Sequence, residues 1–319
     1  MQVSARYAYL ATFIGVCGHA SSEFFAVLSG ISGPEVSVWR YVIGAAGLVV
    51  WALLIPSTRN LIAPLKDGGL YFIMLSLIGV SATYLAFHWA LDFASVIQVA
   101  TVVTTIPIFV GLSNLIINKQ PFTTVKIITG TLAILGIVVM LTDGYLGELS
   151  GDSNSLFGVA LAVFCAAFGS AYSVLVKPII TKHGALPTTA VSLAIGGVGL
   201  WIAVGIFWNI WVNPTTLFDR PGTEVTAGVN PGIWILVLAL WNTTITQILW
   251  FGGLAAAPDI TRASYLFFLK PVIAAVLAVF ILSQPISALE ALAIVLVTSC
   301  VFVELFWPRI AAVLGKQAA

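Results

Sequence analysis

Ten apolar stretches, each about 20 residues long, follow one another along the chain. A helix needs about 20 residues to cross a hydrocarbon core of about 30 Å, so each stretch is long enough to span a membrane. The stretches cover residues 7–28, 34–55, 69–89, 95–117, 123–142, 156–177, 186–210, 232–253, 259–282 and 287–306. Only the connections 143–155 and 211–231 are long, and neither could form a separate domain. The pattern predicts an all-α membrane protein with ten transmembrane helices.

The composition excludes most soluble classes of protein. Hydrophobic residues make up 60% of the 319 residues and charged residues 8%. A typical soluble chain has about 45–50% and about 25%, respectively. Soluble enzymes, secreted disulfide scaffolds and nucleic-acid-binding proteins are therefore disfavoured, and we expect the lipid bilayer as a partner and no nucleic acid.

No metal, nucleotide or disulfide motif stands out. The three cysteines each lie inside an apolar stretch and are interpreted as small buried hydrophobic residues: Cys17, Cys165 and Cys300. The three histidines lack the spacing of a metal motif, and the chain has no phosphate-binding loop of the GxxxxGK[ST] type. We therefore expect no cofactor, no metal site, no catalytic residues and no enzymatic activity.

Lysine and arginine are concentrated on one side of the predicted bundle. With the N-terminus inside, ten of them lie in or beside inside loops and ends: Arg6, Arg59, Lys66, Lys119, Lys126, Lys177, Lys182, Arg262, Arg309 and Lys316. Only Arg220 lies in an outside loop. Because positive residues are retained on the cytoplasmic side, we expect a multi-pass protein of the cytoplasmic (inner) membrane with both termini cytoplasmic.

The two halves of the chain repeat each other. A nearly constant offset matches residues in chain order: Pro107 with Pro271, Ile43-Gly44 with Ile195-Gly196, and Cys17 with Cys165. Each half holds five stretches, and because five is odd the second half enters the membrane in the opposite sense. The prediction is two inverted five-helix repeats, at residues 1–150 and 151–319.

Several segments carry a family pattern. In the first half these are Gly18, the run from Pro34 through Arg40 to Ala46, the segment Tyr84 to Leu91, and Pro107. In the second half they are Gly158 to Tyr172, Lys177 and Pro271. Their order and spacing resemble the drug/metabolite transporter superfamily of the EamA type, which has ten spans in two such halves.

The resemblance implies export of small metabolites, amino acids or drugs from the cytoplasm by alternating access. It does not fix the solute, because one fold serves many functions. Two positions depart from the family pattern. The first is the Gly-Glu pair that often closes the fourth and ninth spans of the family, which is replaced by Lys119-Gln120 and Ser283-Gln284. The second is Lys270, which stands where the family often has an apolar or acidic residue.

Lys270 lies about 12 residues into the ninth stretch, near the expected bilayer midplane. A charge there costs at least a few kcal/mol unless it faces a partner or water. Its functional interpretation is a counter-charge for a solute carboxylate or phosphate, and the alternative is a structural ion pair. Pro107 and Pro271 are candidate hinges because proline removes a backbone donor and kinks a helix, although both could be tolerated irregularities.

His19 and Glu23 are four residues apart in the first stretch and share a helical face. Such a pair is a candidate proton site, and the alternative is a polar contact that fixes this helix to a neighbour. Arg40 lies one turn into the second stretch, where we expect it to snorkel to the interface or to bind loop carbonyls.

Other polar and aromatic side chains are candidates for the lining of a solute cavity. With Lys270 they form the predicted binding set: Tyr84, His88, Thr101, Thr105, Tyr172, Gln247, Trp250 and Tyr265. The alternative for the aromatic residues is that they anchor helix ends at the membrane interface.

The leading hypothesis is a secondary transporter that exports a small solute, an amino acid with an aromatic or hydrophobic side chain. The alternatives are a proton-coupled exporter of cationic drugs, against which Lys270 argues, and a membrane-embedded enzyme. The sequence leaves the oligomeric state open, and a monomer is compatible with it.

Overall fold

The computed structural model describes residues 4–31, 33–149, 153–282 and 287–313. Within them it contains ten helical segments long and apolar enough to cross a membrane, and no strand, as the sequence predicts. Six spans are unbroken helices: span 1 (Ala5–Leu28), span 2 (Gly33–Leu54), span 5 (Thr124–Thr142), span 6 (Ser153–His183), span 7 (Ala185–Trp208) and span 10 (Ala288–Val313).

Spans 3 and 8 each contain a π-helix near their middle. Span 3 consists of the α-helix Ile62–Ser76, the π-helix Leu77–Ala82 and the α-helix Thr83–Ala90. Span 8 consists of Pro231–Ala239, the π-helix Leu240–Ile245 and Thr246–Ala256. These spans occupy the same place in the two halves, so the irregularity itself is repeated.

Spans 4 and 9 are both broken two to three residues before a proline. Span 4 divides into Val96–Val103 and Ile106–Asn118. Span 9 divides into the short helix Ile260–Ser264, a 3-10 turn Tyr265–Phe268 and the helix Leu269–Leu282. Pro107 and Pro271 therefore lie in the first turn of a new helix, where a missing N–H costs little, rather than inside a continuous kinked one.

Short 3-10 turns lie in three connections: Pro56–Thr58, Leu146–Leu149 and Pro214–Thr216. One glycine has a structural reason for its place, since Gly69 has φ 50° and ψ −140° and turns the chain within the first helix of span 3. Span 6 continues past the predicted end at residue 177 with Pro178 inside it. The predicted boundary between residues 150 and 151 lies outside the described residues.

Two matching hydrogen bonds join the halves across the bundle. The Ser81 hydroxyl of span 3 donates to the carbonyl of Gly196 in span 7 over 2.7 Å. The Thr244 hydroxyl of span 8 donates to the carbonyl of Gly44 in span 2 over 2.8 Å. The second bond repeats the first with the two halves exchanged. The two acceptors, Gly196 and Gly44, are the glycines that correspond to each other in the sequence repeat. This symmetry identifies two inverted repeats packed against each other.

Candidate functional site

A cavity of about 80 Å³ lies where the irregular spans meet. Spans 1, 2, 3, 4, 6, 8 and 9 contribute to it, and its lining comprises His19, Ser22, Arg40, Tyr41, Thr83, Tyr84, Phe87, Val103, Ile106, Cys165, Gly169, Ser173, Trp250, Phe267 and Lys270. Tyr84 and Phe87 follow the π-helix of span 3, and Trp250 follows that of span 8. Ile106 and Lys270 follow the breaks of spans 4 and 9. Both halves thus supply the lining from equivalent places.

Two buried cations face this central cavity. Lys270 is 7% exposed, and its Nζ lies 6.0 Å from the ring centroids of both Phe87 and Phe267. Arg40 is 4% exposed. An aromatic face attracts a cation at this distance, so the two phenylalanines hold the ammonium of Lys270 inside the lining.

Arg40 does not snorkel to the interface as expected. Its Nε donates to the Thr243 hydroxyl and its Nη2 to the carbonyl of Asn242, each over 2.9 Å. Both acceptors belong to the π-helix of span 8, not to a loop. A π-helix shifts backbone hydrogen bonding from its α-helical pattern, and the guanidinium binds a carbonyl there.

A polar pair related by the repeat lies at the cavity: Tyr84 lines it, and Gln247, which does not line it, binds Tyr84. Gln247 Nε2 donates to the Tyr84 hydroxyl over 2.7 Å. Each residue lies two positions after the end of its π-helix. Tyr84 also stacks on Tyr41 with 4.1 Å between ring centroids. Tyr84 and Gln247 therefore meet near the pseudo-twofold axis that relates the halves.

His19 packs its ring against two aromatic side chains of the cavity and has a buried ring nitrogen that could bind a solute. Its ring contacts Trp250 and Phe267 with centroids 5.7 and 5.6 Å apart. Its Nε2 is buried and forms no hydrogen bond with the described residues. The side chain of Glu23, its predicted partner in a proton site, lies outside the described residues.

Of the predicted binding residues, the structure brings Lys270, Tyr84 and Trp250 onto the lining, with Gln247 bonded to Tyr84. Five others do not line it. His88 Nδ1 lies 2.6 Å from the Ser37 hydroxyl, and Tyr172 bonds the Ser192 hydroxyl over 2.7 Å. These polar atoms fasten spans 2 and 3, and spans 6 and 7, to each other.

The remaining three are in spans 4 and 9. The Tyr265 hydroxyl donates to the backbone carbonyl of Lys126, and the Thr105 hydroxyl donates to the carbonyl of Val102 over 2.6 Å. Thr101 Oγ1 is buried and bonds none of the described residues. The sequence predicts a lining role for all three because their polar groups lie on helices expected to face the cavity, but in the structure none of the three is among the lining residues.

Several lining residues were not among the residues that the sequence predicts to bind the solute. Among them, Phe87 and Phe267 surround Lys270, and Val103 and Ile106 form an apolar wall from span 4. The offset that pairs Pro107 with Pro271 also pairs Ile106 with Lys270. Applying the repeat to Lys270 would have found this second wall from the sequence.

A larger opening, the terminal vestibule, lies on the face of the bundle where span 1 begins and span 10 ends. Its volume is about 950 Å³, and it is lined by Asn114, Asn118, Gln120, Pro121, Thr123, Lys126, Val174, Lys177, Pro178, Thr181, Lys182, Pro258, Asp259, Ile260 and Arg262. The central cavity is far smaller, so this conformation is open towards the terminal face and contracted at the centre.

An ion-pair network forms one wall of the vestibule. Lys126 Nζ binds Asp259 over 2.7 Å, and Arg262 Nε binds Glu304 over 3.1 Å. The Arg262 backbone N–H also donates to Asp259 over 2.9 Å. Burial would raise the pKa of the Asp259 carboxyl, but the hydrogen bonds and charges of Lys126 and Arg262 outweigh it and lower that pKa. The carboxylate is therefore charged at neutral pH and ties span 5 to span 9.

Two inverted five-helix halves around a central cavity lined by two cations and by apolar side chains, with an open vestibule on one face, define a membrane transporter of small solutes. In the described part of the chain no cluster of three or more His, Cys, Asp or Glu could hold a metal.

Comparison with known proteins identifies the family. Residues 6–142 and 156–305 each match the EamA-like transporter family, so the chain belongs to this family. It is 22% identical over 279 residues to an uncharacterized transporter of Clostridium kluyveri, covering 87% of this chain and 85% of the relative. It is 23% identical over 272 residues to the uncharacterized transporter YyaM of Bacillus subtilis, covering 84% and 83%.

A crystal structure of another protein has the same fold. It overlays with a TM-score of 0.78 at 17% sequence identity and covers 96% of this chain and 99% of its own. As a member of a transporter family, the protein is not an enzyme.

Proposed function

We propose that this transporter exports an amino acid with a hydrophobic or aromatic side chain, by alternating access between the two halves. The observation that carries the proposal is the pair of buried cations, Lys270 and Arg40, on one lining with aromatic and aliphatic walls. A carboxylate is the complementary group on the solute, since charged hydrogen bonds in a dry site are strong.

The other groups of an amino acid also find complements. The buried Nε2 of His19 can accept a hydrogen bond from a solute ammonium when the ring carries its proton on Nδ1. Val103 and Ile106 line the cavity from the opposite half and suit an apolar side chain. The carboxylate would thus bind toward span 9 and the side chain toward span 4.

The contracted cavity supports alternating access. Ligand pockets commonly enclose about 300–1,000 Å³, whereas the central cavity encloses about 80 Å³. A bulky solute requires the halves to separate, and the breaks before Pro107 and Pro271 are the proposed hinges. We propose that residues 1–150 and 151–319 are the moving units and that the terminal face is cytoplasmic.

Uptake into proteoliposomes tests the proposal. A panel of labelled hydrophobic and aromatic amino acids, sugars and quaternary ammonium cations would be compared with protein-free vesicles. We expect uptake of at least one amino acid, competition by its unlabelled form, and no competition by its methyl ester, which lacks the carboxylate charge. Transport of the quaternary cations alone would overturn the proposal in favour of a cationic-drug exporter.

A further inference from the structure

We propose that the terminal vestibule is a second binding station, which takes an oxyanion, a carboxylate or phosphate group, at Lys177 before the solute reaches the central cavity. The inference deepens the proposed function, since the anionic group is that of the transported solute. Its argument starts from the charges on the vestibule wall.

The described lining of the vestibule carries four cations and one carboxylate: Lys126, Lys177, Lys182 and Arg262, and Asp259. Lys182 and Arg262 also bind carboxylates next to the lining, Asp67 over 2.6 Å and Glu304 over 3.1 Å, so the excess positive charge within the described residues is that of Lys177. Asp259 lies 2.7 Å from Lys126 Nζ and 3.9 Å from Arg262 Nη2, so it compensates charge mainly within the ion-pair network. A concave surface with an excess of one sign concentrates ions of the other sign.

Lys177 differs from the other cations in its partner. Its Nζ donates to the carbonyl of Ala257 over 3.1 Å. That carbonyl orients the ammonium but carries no full charge, whereas Lys126 and Lys182 bind carboxylates. An ammonium has three donors, so an oxyanion can bind Lys177 without displacing an ion pair.

One row of residues on span 6 runs from the central cavity to the vestibule. Gly169 and Ser173 line the cavity, and Lys177 and Thr181 line the vestibule. The four residues are spaced by four along one helix, so each is the neighbour of the next in a row that winds gradually around the helix. A solute that leaves Lys177 along this row arrives beside Lys270, so the two lysines act on the same anionic group in turn.

The experiment measures the potential in the vestibule with charged thiol reagents. Thr181→Cys is purified in a neutral detergent and treated with the anionic sulfonatoethyl or the cationic trimethylammonioethyl methanethiosulfonate. Mass spectrometry of the peptide that contains residue 181 gives each rate, separately from the native cysteines. At low salt we expect the ratio of anionic to cationic rates to fall about fivefold when Lys177→Gln is added.

Two matched controls test whether the effect is local. Arg220→Gln removes the same charge from an exposed position in the connection between spans 7 and 8, on the side of the bundle opposite the vestibule, and should leave the ratio at residue 181 unchanged. Ser57→Cys, also exposed and outside the vestibule, should give a ratio that does not respond to Lys177→Gln. An equal ratio with and without Lys177 would overturn the proposal.

Added anions test occupancy. Inorganic phosphate and acetate should slow anionic modification of Thr181→Cys more than an equal ionic strength of chloride does, and Lys177→Gln should abolish the difference. Protection by phosphatidylglycerol alone would assign the site to a lipid headgroup and overturn the solute station. If Lys177→Gln fails to fold, high salt must still reduce the rate ratio of the Thr181→Cys protein, because it screens the same potential.

These modification assays do not depend on knowing the transported solute, so the two proposals can fail separately. A panel that yields no amino acid transport would defeat the proposed function and leave the anion station supported by its own data. Amino acid transport with no effect of Lys177 on modification would defeat only the station.

Discussion

At the scale of single residues, Lys270 carries the most specific prediction. Lys270→Met keeps the length of the side chain and removes its charge. If the ammonium binds the solute carboxylate, the apparent affinity for the transported amino acid should fall about ten- to hundredfold, which corresponds to one charged hydrogen bond. Initial rates of proteoliposome uptake over a range of solute concentrations give this affinity.

Lys270→Arg and Lys66→Met complete the set. The arginine variant keeps the charge with a different geometry and should retain part of the affinity. The Lys66→Met variant makes the same chemical change at an exposed position and should transport at the normal rate. Wild-type affinity in Lys270→Met would remove this residue from the solute site.

Residue-level reasoning from the sequence succeeded where a single property decided the outcome. A charge in the middle of an apolar helix had to face the interior, and Lys270 does. Arg40 and His88 were harder, because their partners, Thr243 and Ser37, lie on other helices. Which of several buried polar residues reaches a cavity depends on those partners, and one sequence does not reveal them.

At the scale of the helices, the glycines that face the π-helices are predicted to tolerate no side chain. A Cβ on Gly44 would lie 2.9 Å from the carbonyl oxygen of Ala239, and a Cβ on Gly196 would lie 2.5 Å from Cβ of Val80. Gly44→Ala and Gly196→Ala should each lower stability by about 1–3 kcal/mol. The midpoint of thermal unfolding in detergent measures the effect.

Gly169→Ala serves as the comparison for this pair. Among the described residues, its Cβ would approach one atom within 4 Å, a methyl of Thr83 at 3.1 Å. This variant should shift the midpoint less than either of the other two. Midpoints that fall equally in all three would show that the contacts with the π-helices are not special.

Element boundaries were predictable to the extent that hydrophobicity sets them. The ten apolar stretches became the ten spans because the membrane demands that length. The π-helices at Leu77–Ala82 and Leu240–Ile245 were not predicted, since one additional residue in a turn leaves the average hydropathy unchanged. The prolines of spans 4 and 9 indicated that these helices are irregular, but the breaks lie two to three residues before the prolines.

At the scale of the whole molecule, the uneven distribution of lysine and arginine predicts its orientation. Glu224→Cys, exposed in the connection between spans 7 and 8, should react with a membrane-impermeant thiol reagent added outside intact cells. Ser57→Cys, exposed between spans 2 and 3, should react only after permeabilisation. The reverse pattern would place the terminal vestibule on the outside of the membrane and contradict the proposed cytoplasmic orientation.

Each π-helix also sets the rotational phase of the helix that follows it. One residue more than an α-helical turn holds rotates everything beyond it by about 100° relative to a regular helix. In span 3 the rotated part carries Tyr84 and Phe87, and in span 8 it carries Gln247 and Trp250. If Leu77–Ala82 were wound as an α-helix with every residue kept, Tyr84 and Phe87 would therefore both turn away from the cavity. Deletion of one residue from this segment would instead remove the additional residue, restore an α-helical turn and leave both side chains facing the cavity.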